Sequence, residues 1–428
     1  MGGRPARRRA RDGHPPRIIH LGLGAFHRAH QAWYTDRAQD DGEWAIAAFT
    51  GRSPRVAEQL AGQDCLYSLV ERSDEGDRVS LVTSIVEAHP GTEVSRLIEL
   101  AALPTTSVIT LTVTESGYRL DADGHLDPGD EVVATDSAQL IAEGVFGTVP
   151  KVQSTVARLV VGLAARSRSG AGPIAIVPCD NVPDNGRFLR TGVLEFAERV
   201  HPPLMPWILE NVSFVSTSVD RITPRTTPDD LVLVRRLAGW DDRAPVVTEP
   251  FSDWVLSGEF PSGRPAWEQA GARFVDDIAP YEQRKLLLLN GAHTLLSVLG
   301  PDRGHDTVAA AIGDPELRGL VETFWDEAER CLPAERLDLR AYRAALLDRF
   351  SNSRIEHRLE QIAQEGEHKV RLRIVPVVLA ARAAGTRAAA AELVLRSWLT
   401  RDDRWSLASL ARLDPRLEAH PELLRSSW

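Results

Sequence analysis

The sequence has few cysteines. Cys65, Cys179 and Cys331 are far apart and odd in number, with no C-x-x-C pair and no spacing typical of zinc ligands. A disulfide framework is therefore not expected, and neither is a metal site. Such a chain suits a reducing compartment, and the cytoplasm is the expected location. The sequence also lacks an apolar run of about 18 residues, so no membrane span is expected. It lacks a positive balance: 50 Lys and Arg stand against 60 Asp and Glu, for a formal net charge of -10. That argues against nucleic acid or an anionic membrane as the main partner. The exception is the Arg-rich stretch within residues 1–16. It reads as a solvated, disordered basic tail without the apolar segment of a secretory signal. There is no internal repeat and no long low-complexity segment. What remains is ordinary for a globular protein, 43% hydrophobic and 26% charged over 428 residues. That is enough chain for two or three domains and a sizeable core.

Residues 17–25, RIIHLGLGA, read as an apolar strand running into the turn Gly22-Leu23-Gly24, and residues 27–40 carry a helical pattern. This is how a dinucleotide-binding fold opens. The first glycine makes the tight turn, and the second lets the backbone approach a pyrophosphate at the helix N-terminus. His27 stands where the usual third glycine would be, so the motif alone is weak. Residues 44–50 look like the second strand. Its end should meet the adenosine ribose, where an NAD-selective site often carries an acid. Here the residues are Thr50, Gly51, Arg52 and Ser53. Arg52 is placed to meet a 2′-phosphate, to stack on adenine or to face solvent.

Further strands are expected at 66–70, 79–86, 107–114, 174–177 and 213–219, with helices at 93–102 and 151–166 and a loop over 120–138. Apolar strands alternating with helices imply a parallel sheet covered on both faces, with ligands outside the carboxyl ends of its strands. Thr114, Glu115, Asp180 and Asn181 sit at such ends. From about residue 276 the patterns turn helical. The expected organisation is a tail over 1–16, an α/β Rossmann-type domain over 17–275 and a mostly α-helical domain over 276–428.

Residues 282–299 read as one helix opening the second domain. At roughly 100° per residue, Glu282, Lys285, Asn290 and His293 share an arc of about 140°. Leucines occupy most of the remaining circumference, which is the pattern of a buried helix. Polar groups there need a partner or a task. Burial lowers the pKa of a lysine, which makes its amine usable as a general base near neutral pH. The competing reading is structural, with Lys285 snorkelling to water, Asn290 bonded to backbone and His293 a satisfied core histidine.

Several motifs taken together resemble the polyol-specific long-chain dehydrogenases, the mannitol 2-dehydrogenase and fructuronate reductase family. They are the run from His20 through Gly22, Gly24, Ala25 and Phe26 to Gln31, the Thr114-Glu115-Ser116-Gly117-Tyr118 and Cys179-Asp180-Asn181 segments, and Val219-Asp220-Arg221-Ile222-Thr223-Pro224. Lys285, Asn290, Gly291 and His293 stand at the family's catalytic spacing, and Arg349 to Asn352 and Lys369 match its C-terminal motif. The resemblance covers nearly the whole chain from about residue 17.

It implies a zinc-independent oxidoreductase using NAD, with NADP possible, and a polyol or ketose substrate. Lys285 is implied as general base, and Asn181 and Asn290 as an oxyanion hole. His293 is implied to orient the reacting oxygen, Asp220 to bind hydroxyls or position the lysine, and Glu282 to carry the proton onward. His20, Gly22, Gly24, Ala25, Phe26, Arg52, Thr114, Glu115 and Asp180 would serve the cofactor, and Arg221, Gln361 and Lys369 the substrate. Two departures stand out. Gln361 replaces the arginine of mannitol-selective members, as in the uronate reductases. Glu365-Gly366-Glu367-His368-Lys369 adds an acid, Glu367, that disfavours a substrate carboxylate if it points inward. The alternatives are a hexuronate reductase and, more remotely, a non-catalytic dinucleotide sensor. By resemblance, the chain is expected to be a monomer or a weak homo-oligomer.

Overall fold

The computed structural model describes residues 15–38, 43–127, 129–147, 151–333, 335, 337–401 and 406–424. All but the end of the basic stretch lies outside the described residues. The chain divides into two compact units, Met1–Arg72 with Gly76–Ile278, and Ser73–Glu75 with Ala279–Trp428.

The first unit is built on six short parallel strands: β1 (Ile18–Leu21), β2 (Ile46–Phe49), β3 (Ile85–His89), β4 (Val108–Leu111), β5 (Ile174–Pro178) and β6 (Val212–Phe214). Their order is 3-2-1-4-5-6. This doubly wound order reverses direction beside β1, which opens a crevice at the carboxyl ends of β1 and β4. The sequences IIHL, IAAF, VITL and IAIVP are buried at every position. That explains why they are continuous apolar runs rather than alternating ones, since both faces are covered. One face packs under the helices Val94–Ala101, Thr155–Ser169 and Asn185–Val200. The other packs on Trp33, Trp44, Tyr67, Trp254 and Trp267. Arg166 is buried, pairs with no acid among the described residues and is satisfied by five carbonyls, those of Ala101, Leu103, Ala171, Gly172 and Pro173, at 2.7–3.1 Å. It ties the end of its helix to the entry of β5.

Several local expectations are corrected. The helix over 27–40 is two, Ala25–Ala29 and Gln31–Arg37, broken at His30, where ψ reaches -93°. The run 79–86 belongs to two strands of different sheets, Gly76–Val82 and β3. The run 213–219 is likewise divided between β6 and Ser216–Asp220, which pairs antiparallel with Asp253–Ser257. The stretch 120–138 is not all loop, because Asp130 accepts from Val132 N and Val133 N and starts the helix Glu131–Glu143. A further helix, Asn185–Val200, follows β5.

The second unit is helical. Its buried centre is the helix Gly291–Leu299, with all nine residues buried. Gly291 is required there: a Cβ would stand 2.6 Å from Phe324 Cε1 and 2.8 Å from its Cζ.

Candidate active site

The turn after β1 is shaped by contacts that only glycine permits. Gly22 has φ of +106°, and a Cβ on it would lie 2.2 Å from the Thr112 carbonyl oxygen. Thr112 in turn donates to Gly22 O at 2.7 Å. Gly24 is different: a Cβ there would meet nothing closer than Gly22 O at 3.6 Å. Protein packing does not demand a glycine at 24, so the space above it is left for a ligand that approaches the backbone, as a pyrophosphate does. The residues fit a dinucleotide. His20 lies inside rather than at the surface. Its Nδ1 pairs with Thr110 Oγ1 at 2.8 Å and its Nε2 with Thr112 Oγ1 at 3.0 Å. It therefore braces the turn through Thr112. Burial holds its pKa down to about 3. His27, in the place of the usual third glycine, stacks on it with ring centroids 3.3 Å apart. Ala25 and Phe26 are half-buried, and Phe26 stacks on His30.

At the other strand ends of this unit, Thr114, Glu115 and Asn181 are exposed. Thr114 precedes the short helix Glu115–Tyr118. The Asp180 carboxylate accepts from Tyr118 Oη, from Val182 N at 2.9 Å and from Asn185 Nδ2 at 3.3 Å. It shapes the turn that presents Asn181. Asp220 ends its strand half-buried. Arg221 follows it in the chain. Its side chain is fully buried and donates to Ala29 O at 2.7 Å and to Glu249 O, with Glu71 as its ion partner at 2.8 Å. A guanidinium so committed ties the end of this strand to Ala29, Glu249 and Glu71.

In the second unit, the stretch expected as a single helix changes pitch. Ala279–Arg284 is α-helical, Lys285–Asn290 is π-helical and Gly291–Leu299 is α-helical again. The constant angular step therefore fails across the stretch. π-turns inside α-helices are frequent at functional sites. Lys285 and Asn290 stand at the two ends of the π segment and are half-buried, while Leu287, Leu288 and Leu289 between them are buried. Glu282 is also half-buried. His293 is buried, and its Nε2 has no hydrogen-bond partner among the described residues. Desolvation, then the nearby His357, Arg349 and Arg373, keep its pKa well below the ordinary value, so the ring is neutral. His357 meets it edge to face with centroids 4.8 Å apart.

Lys369 donates to Ile362 O at 3.0 Å and, with Glu365 and Glu367, lines a groove of about 570 Å³ that reaches Thr294, Ser297 and Trp398. Gln361 is exposed and is not among the groove residues. Sequence reasoning missed Arg373, although it lies one helical turn beyond Lys369. Its Nη1 reaches Thr294 Oγ1 at 3.2 Å and Asn290 O at 3.4 Å. No carboxylate lies within ion-pair distance among the described residues, and burial lowers its pKa to about 10.

The sheet order and the glycine turn at its carboxyl edge place the chain among the NAD(P)-dependent oxidoreductases of Rossmann type. The sequence matches the "Mannitol dehydrogenase Rossmann domain" over residues 16–269 and the "Mannitol dehydrogenase C-terminal domain" over residues 277–401. It is 36% identical to the D-mannonate oxidoreductase of Escherichia coli (strain K12) over 372 residues, covering 85% of this chain and 75% of that protein. A Pseudomonas fluorescens mannitol 2-dehydrogenase, solved as a ternary complex with NAD and D-mannitol, is 34% identical with a TM-score of 0.76, over 93% of this chain and 80% of the other. A substrate-free D-sorbitol dehydrogenase is 27% identical with a TM-score of 0.85, over 97% and 94% of the two chains. The chain belongs to the mannitol dehydrogenase family, and it is an NAD(P)-dependent oxidoreductase acting on the CH–OH group of a polyol-type substrate. No helix of the described residues is long and apolar enough to cross a membrane.

Proposed function

We propose that the chain interconverts a sugar alcohol and its ketose, with mannitol and fructose as the first pair to test. The observation that carries this reading is the π-turn Lys285–Asn290, which breaks an otherwise α-helical, leucine-rich stretch and carries a base and an amide at its ends. Lys285 Nζ takes the proton of the reacting hydroxyl, and Glu282 passes it towards solvent. The amides of Asn181 and Asn290 donate to the oxygen as negative charge develops on it. His293, kept neutral by burial, offers Nε2 to the same oxygen. Asp220 orients the lysine or a substrate hydroxyl. Gly22 and Gly24 hold the dinucleotide, whose nicotinamide accepts or supplies the hydride. Glu365 and Glu367 beside Lys369 favour a neutral substrate over an anionic one. The protein works as a monomer or weak homo-oligomer in the cytoplasm.

A second reading, reduction of a keto-uronate such as fructuronate or tagaturonate, is favoured by Arg373. A half-buried guanidinium next to Asn290, with no acid within ion-pair distance among the described residues, suits a substrate carboxylate. Initial rates decide between the two. NADH and NADPH would each be paired with fructose, other ketoses, fructuronate and tagaturonate near pH 7, and the polyols run in reverse at higher pH. Turnover of a neutral ketose supports the first reading. Turnover of the keto-uronates alone replaces it with the second.

A further inference from the structure

The turn that follows β2 carries cations and no acid. Arg52 is exposed on it and Arg55 at the start of the helix that follows, and no ion pair involves either among the described residues. The end of β3 is drawn onto this turn. Gly91 N donates to Thr50 Oγ1 at 3.1 Å, and a Cβ on Gly91 would stand 2.2 Å from Thr50 O and 2.6 Å from Gly51 O. Only glycine lets the two strand ends meet this closely. The same Cβ would lie 3.1 Å from Nη1 of Arg158, which projects from the first turns of the helix Thr155–Ser169. A guanidinium is thus held beside the carbonyls of the turn where the fold places the adenosine ribose.

Arg158 has no partner that explains it. Its Nε is buried without an acceptor, and no hydrogen bond or ion pair engages the rest of the group among the described residues. The carboxylate that acts on it from a distance is Asp136, whose oxygens accept from Gln153 N, Ser154 N and Ser154 Oγ at 2.7–3.1 Å. The acids on and after β3 are also taken: Glu87 pairs with His89 and Arg96, and Glu93 with His89. A desolvated cation without a counter-charge is costly. A ribose 2′-hydroxyl is met by an acid in NAD-selective sites, and this turn has none. A 2′-phosphate instead supplies an anion whose geometry matches a guanidinium fork.

We propose that Arg158, assisted by Arg52, is the specificity residue for the 2′-phosphate of the adenosine half, so that the chain prefers NADP(H) to NAD(H). The inference concerns dinucleotide binding alone and holds whichever substrate is reduced. The test is titration of the full chain with NADPH and with NADH, followed by tryptophan fluorescence, for the wild type, Arg158→Met and Arg158→Lys. The wild type binds NADPH about tenfold or more tightly than NADH. Arg158→Met raises the NADPH Kd by about tenfold or more and moves the NADH Kd by less than about twofold, with Arg158→Lys in between. Equal or tighter binding of NADH by the wild type overturns the proposal, as does an equal loss of both ligands in Arg158→Met. Should Arg158→Met fail to fold, competition on the wild type decides. 2′,5′-ADP displaces bound NADPH far better than 5′-AMP if the site exists, and no better if it does not.

Discussion

Acid should destabilise this protein through the stacked pair His20 and His27. The rings lie 3.3 Å apart at an interplanar angle of 9°, and neither side chain reaches solvent. Burial holds His20 to a pKa of about 3 and His27 well below its ordinary value, and a charge on His20 further opposes a proton on His27. The folded chain therefore excludes protons that the unfolded chain takes up near pH 6.5. The stability contributed by the neutral rings is complete above about pH 6.5. It is lost as pH falls through that value, and the loss continues towards about pH 3 for His20. Within this window each histidine costs about 1.4 kcal/mol per pH unit. The pair thus removes roughly 4 kcal/mol between pH 6.5 and 5, a large share of a typical domain's margin. The assay is urea unfolding at a series of pH values from 7 to about 5, for the wild type and His27→Gln. The slope of stability against pH should fall by about 1.4 kcal/mol per unit in the variant, and every other titrating group cancels in the difference. An unchanged slope would refute the reasoning, whatever the variant's absolute stability.

The two glycines of the turn should respond differently. Gly22→Ala strains a φ of +106° and meets the Thr112 carbonyl, and should cost about 3 kcal/mol or more in denaturant unfolding. Gly24→Ala should change stability by less than about 0.5 kcal/mol yet weaken dinucleotide binding about tenfold in a fluorescence titration. Equal effects on stability would contradict the separation of roles. Gly291→Ala should cost about 1–3 kcal/mol through contact with Phe324 and lower kcat by shifting the adjoining Asn290; normal stability and kcat would show that the helix has room to move.

The sequence was informative wherever one residue type had one physical use. The buried runs of β1, β4 and β5 and the glycine turn could be read directly, because a two-sided sheet and a tight turn leave a residue-level trace. Sheet membership left none. Residues 213–219 look like one strand, yet Val215 separates two strands in different sheets. The helix Glu131–Glu143 follows a stretch rich in Asp and Gly, and the same aspartates that suggested a loop provided its cap at Asp130. The π-turn was hidden because periodicity assumes a constant pitch. The contacts of Arg221 left no trace either, since its partners Ala29, Glu71 and Glu249 are distant in sequence. Arg158 and Arg373 were missed for the converse reason. A charged residue on a helix reads as surface until its neighbours are known.

The most direct test of the account is the turnover of Lys285→Met. Its kcat would be measured on whichever ketose or keto-uronate the wild type reduces, beside the dinucleotide Kd of the same preparation. The account predicts a fall in kcat of about 10³-fold, with the Kd unchanged within about twofold. A kcat within about tenfold of the wild type, or a loss of dinucleotide binding in parallel with activity, would contradict Lys285 as the base.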